Sequence, residues 1–477
     1  RRGLAVRPFK PQNMSNNAAV CPGGGEIGRA QAVQAEACGL EPTVDMNPVL
    51  LKPENEIGCQ VVIRGQARFH MRAHERQRYR SEAWPEIVTS YRILAERFDL
   101  IVIEGAGSAA EINLRERDMV NWTIAELADA PVLLVADIDK GGVFASLVGT
   151  IELLSPTERN RVRGFLINKF RGDLRLLESG LRFLEQRTGI PVLGVLPYLR
   201  ELRIPQEDAA ILDTASVRWR DKPVIFGVVR APRISNYTDF APLECEPDVA
   251  IHYLSDPESA PHLDVVCLPG SKSTVADLQW LRHSGWENYL TRHLRDGGWV
   301  LGICGGYQML GQSILDPQGV ESTTAETIGL GLLDVITTFA REKITAQVEG
   351  AALGSGLPVS GYEIHAGRVT RQSAALPLIR LTIRNGQAVS ELEGAQSPEG
   401  RIWGTSMHGV FDSTSWRRQF IDHVRTSKGL APLVATAAPD ALTQRLHEYD
   451  RFADVMEANT DLARIAALVG CERVSSR

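Results

Sequence analysis

The chain has 477 residues, of which 44% are hydrophobic and 23% are charged, and its formal net charge is −6. This composition is typical of a globular protein long enough for two or three domains, each with its own core. The negative charge and the lack of Lys/Arg-rich blocks exclude an electrostatic nucleic-acid surface, and no apolar run is long enough to cross a membrane.

The seven cysteines are scattered along the chain and form no Cys-x-x-Cys pair. This pattern argues against a disulfide framework or a zinc site. We therefore expect the protein to work in the reducing cytoplasm.

The chain starts at Arg1, and its first residues fit the end of a helix, a C-cap at Gly3 and a short strand. Further apolar runs of the first half predict strands at Leu100–Ile103, Val132–Val135, Gly164–Ile167 and Val192–Val195. Helix-like stretches separate most of these runs, and the alternation is typical of an α/β domain with a parallel sheet. We predict this domain over residues 1–205 and a polar linker over residues 206–222.

The second half predicts another α/β domain, over residues 223–435. Its apolar runs predict strands at Val224–Val229, Val265–Leu268, Trp299–Leu301 and Ile402–Gly404. Residues 436–477 have helical apolar spacing, and we expect this tail to pack on the second domain.

Cys304 lies where a predicted strand turns sharply into a helix, in Gly302-Ile303-Cys304-Gly305-Gly306-Tyr307-Gln308. Glycines permit a strained turn of this kind, and the amides of a helix N-terminus favour a thiolate. His408, in a loop after a later strand, is the leading base for this thiol. Gly270, in Leu268-Pro269-Gly270-Ser271-Lys272, and Gly305 could provide backbone amides for an oxyanion. Taken singly, an isolated cysteine is more often a small buried apolar group and a lone histidine is usually structural.

Together, Gly-x-Cys-Gly-Gly-x-Gln, Leu-Pro-Gly-Ser-Lys and Thr-x-x-His-Gly-x-Phe, in this order, resemble the class I glutamine amidotransferases. The resemblance implies that Cys304 attacks the side-chain amide of glutamine, forms a glutamyl thioester and releases ammonia. The acid that this family carries two residues after its histidine is replaced by Val410. This departure matches the cobyrinate-type subgroup, which implies a Cys-His pair and leaves open what orients His408.

Segments of the first half extend the resemblance over essentially the whole chain. They include Lys10–Asn17, Gly24–Gln31, Val44–Pro53, Glu104–Ser108, Ala136–Ala145 and Ile167–Asp173. They are most similar to the family members that amidate the b, d, e and g carboxylates of adenosylcobyrinic acid a,c-diamide, giving adenosylcobyric acid in cobalamin biosynthesis. The implied enzyme is a carbon-nitrogen ligase with glutamine as nitrogen donor.

The same resemblance implies a P-loop-type domain, similar to dethiobiotin synthetase, that phosphorylates a carboxylate with ATP and lets ammonia displace the phosphate. Glu26 and Glu104 could hold Mg²⁺, which prefers oxygen ligands. Lys10 could neutralise charge during phosphoryl transfer. Asn168 and Lys169 resemble a base-recognition segment of related nucleotide-binding folds.

Several further residues have candidate roles, and some allow more than one interpretation. Asn13, Asn16 and Asn17 are candidate partners for the carboxylates and amides of the corrinoid. His365 could contact substrate or support the domain interface. Asp137 and Asp139 could cap the next helix or take part in the metal site.

Two short patterns favour other functions and are weak. Gly105-x-Gly107-x-x-Ala110 satisfies a dinucleotide fingerprint, but no acidic residue ends a strand at the required distance. Gly270-Ser271-Lys272-Ser273-Thr274 resembles the end of a P-loop, but Val265 stands where the first glycine is required.

No complete Gly-x-x-x-x-Gly-Lys-Ser/Thr pattern occurs in the sequence, although ATP phosphates in this fold need that backbone nest and lysine. We expect it in a segment upstream of Arg1. Two alternatives stay open: the related enzyme that forms cobyrinic acid a,c-diamide, and a glutaminase or corrinoid-binding protein without ligase activity. The expected partners are small molecules, namely glutamine, ATP and a corrinoid, and the oligomeric state is open.

Overall fold

The computed structural model describes residues 3–54, 58–72, 76–200, 202–207, 219, 221–259, 262–433 and 440–471. The chain divides into two compact units, and each consists of separate segments. The first contains Arg1–Gln12, Arg80–Ile204 and Gln444–Arg477, and the second contains Asn13–Tyr79 and Pro205–Thr443. The sequence predicted two domains that follow each other along the chain. In the structure, residues 13–79 instead belong to the unit that contains most of the second half of the chain. Most of the predicted linker, together with Arg1 and Arg2, lies outside the described residues.

The first thirteen described strands are β1 (Val6–Phe9), β2 (Gln12–Met14), β3 (Ala18–Val20), β4 (Glu26–Gly28), β5 (Val49–Pro53), β6 (Gly58–Ile63), β7 (Gln66–Arg72), β8 (Leu100–Ile103), β9 (Val132–Asp137), β10 (Val162–Phe170), β11 (Val192–Pro197), β12 (Val224–Val229) and β13 (Ile234–Ser235). Those that follow are β14 (Val249–Leu254), β15 (Val265–Leu268), β16 (Gly270–Ser271), β17 (Trp299–Ile303), β18 (Ser313–Leu315), β19 (Glu326–Ile328), β20 (Val335–Ala352), β21 (Pro358–Arg371), β22 (Ile379–Arg384), β23 (Gln387–Glu393), β24 (Ala395–Gln396), β25 (Ile402–Thr405) and β26 (Met407–His408).

The described α-helices are α1 (Arg29–Ala37), α2 (Arg76–Ala95), α3 (Trp122–Leu127), α4 (Val143–Leu153), α5 (Pro156–Arg161), α6 (Leu174–Thr188), α7 (Ala241–Glu244), α8 (Thr274–His283), α9 (Trp286–Arg295), α10 (Gly305–Leu310), α11 (Thr414–Ser427), α12 (Ala441–Asn459) and α13 (Leu462–Leu468). A 3-10 helix at Tyr237–Phe240 precedes α7. Across the described residues, no helix combines the length and the apolarity needed to cross a membrane.

The first unit contains the parallel pairing predicted for the first half. β1 pairs with β8, and β9, β10 and β11 form a parallel sheet in the order β11-β10-β9. α4 contributes Val143, Leu147 and Ile151, spaced by one helical turn, to the buried cluster that also holds Phe165 of β10. The amphipathic face of this helix is therefore what covers the sheet.

The C-terminal helices belong to the first unit from Gln444 onward, so the expectation that the tail packs on the second domain is wrong. The backbone of Thr460 bridges that of Gly194 on β11, and the N–H of Asp461 donates to the carbonyl oxygen of Leu193 at 2.7 Å. A Cβ at position 194 would lie 2.7 Å from the carbonyl oxygen of Asn459. The contact depends on glycine at this position, which helical spacing in the tail does not reveal.

The second unit is built on a six-stranded sheet in the order β14-β12-β15-β17-β25-β24, in which only β24 is antiparallel among the described strands. Alternate residues of β12 enter two different buried clusters, Phe226 in one and Ile225 in the other. The sheet is therefore covered on both faces, as its continuous apolar strands predict.

A second, largely antiparallel sheet lies in the same unit and includes the long pair β20 and β21. β26 pairs with β21 and places Tyr362 directly opposite His408. The segment before α2 folds into two small sheets, β2-β5-β6-β7 and β3-β4. Its residues Ala18 and Leu50 share a buried cluster with Ile364 of β21, which explains why this segment joins the second unit.

Candidate active site

Cys304 occupies the turn between β17 and α10, with φ 50° and ψ −107°. A positive φ is rare for a residue with a side chain and signals a strained turn. Gly306 makes the turn possible, because a Cβ there would lie 2.0 Å from the carbonyl oxygen of Leu268. The nucleophile-elbow geometry expected from the sequence is thus present, with the cysteine 6% exposed.

Cys304 and His408 lie close enough for each to shift the pKa of the other, and the thiol donates to the carbonyl oxygen of Ile364 at 3.6 Å. Burial raises the pKa of the Cys304 thiol. His408 and next His365 lower it by more than burial raises it, so the net shift is downward. Burial lowers the pKa of His408, but Asp239 and Cys304 raise it to about 10. These opposite shifts favour the thiolate–imidazolium form of the pair more than isolated side chains would.

Asp239 is the residue that orients His408. His408 Nδ1–H donates to Asp239 Oδ2 at 2.7 Å, and the N–H of Gly409 donates to Oδ1 of the same carboxylate at 2.9 Å. Asp239 is 3% exposed and lies on the 3-10 helix Tyr237–Phe240. The sequence motif did not point to it, because it precedes His408 by 169 positions and its only sequence signal is an acid within an apolar stretch.

Three hydrogen bonds from the N-terminal segment hold the surroundings of His408. The N–H of Asn236, which has φ 52°, donates to Asn17 Oδ1 at 2.7 Å, and Asn236 Oδ1 accepts from the N–H of Ala18 at 2.7 Å. Tyr362 stacks on the His408 ring with centroids 5.2 Å apart, and its hydroxyl accepts a hydrogen bond from Arg29. The segment before α2 therefore braces both the loop that carries Asp239 and the ring of His408.

The two glycines predicted to face an oxyanion lie beside the Cys304–His408 pair. A Cβ on Gly270 would lie 2.9 Å from His408 Cε1, and a Cβ on Gly305 would lie 2.8 Å from the backbone nitrogen of Ser271. The Leu-Pro-Gly-Ser-Lys segment and the cysteine turn are thus in direct contact, as the motif order requires.

His365 also lies at this site. Its Nδ1–H donates to the carbonyl oxygen of Gly367 at 2.6 Å, and its Nε2 lies 3.7 Å from Glu363 Oε1. Burial lowers the pKa of His365, but Glu363 and Cys304 raise it above its usual value. The ring faces the same cavity as Cys304, so it is placed to contact whatever binds there.

A cavity of about 720 Å³ opens beside the thiol. Residues that line it come from the cysteine turn and α10, from β5, β6, β20, β21 and β26, and from the loop before α8. They include Lys52, Gln60, Lys272, Cys304, Gln308, Lys343, His365 and His408. Lys272, which the P-loop-like pattern contains, donates to Glu54 Oε1 at 2.9 Å. The volume falls in the range of small-molecule sites.

The predicted synthetase residues are divided between the two units. In the first unit, Lys10 Nζ donates to Glu104 Oε1 at 2.9 Å at the end of β8. Lys169, with φ 62°, follows Asn168 on β10 and donates to Asp137 Oδ2 at 2.8 Å.

The other predicted residues lie in the second unit. Asn13 Nδ2 donates to Gln31 Oε1 at 2.9 Å, whereas Asn16 Oδ1 is buried and accepts no hydrogen bond from any described residue. Glu26 accepts from Lys52 and Lys343, each at 2.6 Å. The two predicted magnesium ligands, Glu26 and Glu104, therefore belong to different compact units.

The half-buried Glu104 carboxylate at a strand end is the donor type that Mg²⁺ takes in nucleotide sites. Glu26 differs, since both of its oxygens already accept from lysines. Within the ranges that the structure covers, no group of three or more His, Cys, Asp and Glu side chains is arranged to hold a metal ion.

Residues 226–416 match the CobB/CobQ-like glutamine amidotransferase domain, and residues 60–206 match an AAA domain. Together with the cysteine turn and its histidine, these matches define the class: a glutamine amidotransferase joined to a P-loop-type, nucleotide-binding domain.

Relatives named cobyric acid synthase match over nearly the whole chain. That of Sorangium cellulosum is 49% identical, covering 99% of this chain and 94% of its own length. Those of Syntrophobacter fumaroxidans and Dehalococcoides mccartyi are 45% and 46% identical, each covering 98% of this chain and 93% of their own length. The chain belongs to the cobyric acid synthase family, whose members are glutamine-dependent ligases of cobalamin biosynthesis.

Proposed function

We propose that this protein hydrolyses glutamine at Cys304 and uses the ammonia to amidate the b, d, e and g carboxylates of adenosylcobyrinic acid a,c-diamide. The observation that carries the proposal is the buried arrangement of Cys304, His408 and Asp239 beside a cavity, in a chain that is similar to cobyric acid synthases over nearly its full length.

The first half-reaction begins with attack of the Cys304 thiolate on the side-chain amide carbon of glutamine. The backbone amides of Gly270 and Gly305 stabilise the oxyanion that forms. His408 then donates its Nε2 proton to the leaving nitrogen, so that the C–N bond breaks, ammonia departs and a glutamyl thioester remains.

Hydrolysis of the thioester uses the same residues in reverse roles. Neutral His408 takes a proton from water as the water oxygen attacks the thioester carbon, and glutamate leaves as the C–S bond breaks. Cys304 is again a thiolate and His408 an imidazolium. Asp239 accepts from Nδ1 throughout, which holds the ring in the tautomer whose Nε2 faces the sulfur.

The synthetase half lies in the first unit. ATP with Mg²⁺, when bound, supplies the phosphoryl group that activates the corrinoid carboxylate. We assign Glu104 to holding the metal, Lys10 to stabilising negative charge and Asn168 with Lys169 to contacting the nucleotide. Asn13 and Asn16 are assigned to the corrinoid, and the orphaned Oδ1 of Asn16 is consistent with a ligand that donates there.

Replacing Cys304 with Ala tests the division of labour. We expect glutamine-supported amidation to be lost while amidation with high ammonium is retained, because the ligase half does not use the thiol. Corrinoid products are measured by mass spectrometry and glutamate by an enzyme-coupled assay. Cys38→Ala, at an exposed cysteine, is the matched control. Loss of both activities in Cys304→Ala would contradict the proposal.

The corrinoid substrate is tested by supplying two acceptors to the unaltered protein. Amidation of the a,c-diamide, and not of cobyrinic acid, is the expected result. Preference for cobyrinic acid would identify an a,c-diamide synthase, and glutamine hydrolysis without amidation of either acceptor would identify a glutaminase.

A further inference from the structure

A charged cluster lies in the wall of the cavity that contains Cys304. Lys52 Nζ donates to Glu26 Oε1 and Lys343 Nζ to Glu26 Oε2, each at 2.6 Å. The side chains of Glu26, Lys52 and Lys343 are 1%, 5% and 17% exposed. Two ammonium groups thus share one carboxylate, and this largely buried cluster holds one excess positive charge.

This excess charge calls for an anion. An ammonium group has three N–H donors, and Glu26 accepts one from each lysine. Buried charges in proteins are normally paired, because removing a charge from water without a partner is costly. Lys52 and Lys343 both line the cavity, so an anion that enters it can reach them.

A buried acceptor lies next to this cluster. Gln60 stands directly across from Lys52 on the neighbouring strand, and directly across from His70 on the other side, so the three share one face of the sheet. All three line the cavity. Gln60 Oε1 is buried, and no described residue donates to it. An orphaned buried carbonyl is costly unless a ligand donates to it.

We propose that Lys52, Lys343 and Gln60 form a subsite for a carboxylate with a neighbouring N–H group. The lysines bind the carboxylate, and Gln60 accepts from the N–H. This inference rests on the proposed function, in which two reactants have that chemistry. Glutamine has an α-carboxylate and an α-ammonium group, and the corrinoid has carboxylate and amide side chains on one ring.

The neighbouring basic residues do not provide the same site. Lys272 is neutralised by Glu54 at 2.9 Å, and Arg233 Nε donates to the carbonyl oxygen of Glu54 at 2.9 Å. Arg233 Nη1 also lies 3.8 Å from Asp277 Oδ1, and Arg341, which lines the cavity too, is exposed to solvent. Among the described lysines and arginines that line the cavity, Lys52 and Lys343 therefore carry the buried excess charge.

Two kinetic assays distinguish the sources of the carboxylate. The first measures the KM for glutamine during glutamine hydrolysis without a corrinoid. The second measures the KM for adenosylcobyrinic acid a,c-diamide with ammonium as nitrogen donor, which bypasses Cys304. We expect Lys52→Met and Lys343→Met each to raise one of these KM values about 10- to 100-fold, the range for a hydrogen bond to a charged group.

A rise in the glutamine KM assigns the subsite to the α-carboxylate, and a rise in the corrinoid KM assigns it to an acceptor side chain. Arg380→Met, at an exposed position of β22, is the control and should change neither value. Unchanged KM values in both lysine variants overturn the proposal. A change only in the ratio of amide formed to glutamine hydrolysed overturns it as well, because that result would mean that the lysines help ammonia to reach the corrinoid and do not bind a carboxylate.

Gln60→Leu keeps the proposal testable if a lysine variant does not fold. Removing the orphaned acceptor should raise the Tm of the ligand-free protein and raise the same KM about 3- to 10-fold, as expected for a neutral hydrogen bond. A higher Tm with unchanged KM values would mean that nothing donates to Gln60, and would overturn the subsite. Failure of the unaltered protein to turn over either substrate would instead contradict the proposed function.

Discussion

His408 contacts residues that lie outside its own sequence motif. The ring interacts with the thiol of Cys304, its Nδ1 donates to Asp239, and Tyr362 stacks on it. The place of the usual acid two residues later is taken by the buried Val410. An acid from a different part of the chain therefore occupies the position next to Nδ1.

We predict that Asp239→Asn lowers kcat for glutamine hydrolysis about 10²- to 10⁴-fold with little change in KM. The amide of Asn can donate a hydrogen bond to Nδ1 of His408, which favours the tautomer with its proton on Nε2. In that tautomer Nε2 cannot accept a proton from the thiol or from water. The measurement is steady-state glutamate release between pH 6 and 10.

Glu244→Gln is the matched control, because this acid is exposed and lies on the adjacent helix α7. If Asp239→Asn kept the wild-type kcat, His408 and Cys304 would work without Asp239, and the prediction would be wrong.

At the scale of elements, the segment before α2 supports the loop that carries Asp239. We predict that Asn17→Ala lowers kcat for glutamine hydrolysis about tenfold, because one neutral hydrogen bond of about 1 kcal/mol no longer holds Asn236 in its left-handed conformation. Glutamate release measures the effect. Asn288→Ala, at an exposed position of α9, controls for the loss of any asparagine, and equal rates in the two variants would exclude support from Asn17.

Two glycines in helices should respond to alanine in opposite directions. Gly306→Ala introduces a Cβ 2.0 Å from a carbonyl oxygen, so we expect it to destabilise the second unit by about 1–3 kcal/mol. Gly149→Ala, within α4, meets no atom within 4 Å, so we expect it to stabilise the first unit by about 0.5–1 kcal/mol. Thermal unfolding followed by calorimetry tests both, and equal shifts in one direction would disagree with the geometry.

At the scale of the molecule, a buried carboxyl makes stability depend on pH. Burial, and next the charge of Glu363, raise the pKa of Glu393 to about 7, although Thr405 and Ser406 donate to it. The protonated form is thus favoured in the folded state. Its stabilisation is present at low pH and is lost as the pH rises from the unfolded value of 4.5 to about 7.

We predict that Glu393→Gln, which stays uncharged, becomes more stable relative to the unaltered protein by up to about 3 kcal/mol as the pH rises from 5 to 8. Urea unfolding at several pH values measures the difference. Glu399→Gln, at an exposed position in the same unit, serves as the control. A stability difference that is constant with pH would show that Glu393 titrates normally in the folded protein.

The sequence by itself determined the parallel strands and the identity of the Cys304 turn and His408, because apolar runs and glycine turns act through neighbouring residues. It did not determine that residues 13–79 join the second unit, nor that the tail contacts β11, since both follow from packing between distant segments. Only the tertiary structure brought Asp239 to His408 and Lys343 to Glu26, which are 169 and 317 positions apart. Such pairs are decided by the fold as a whole, and no local pattern records them.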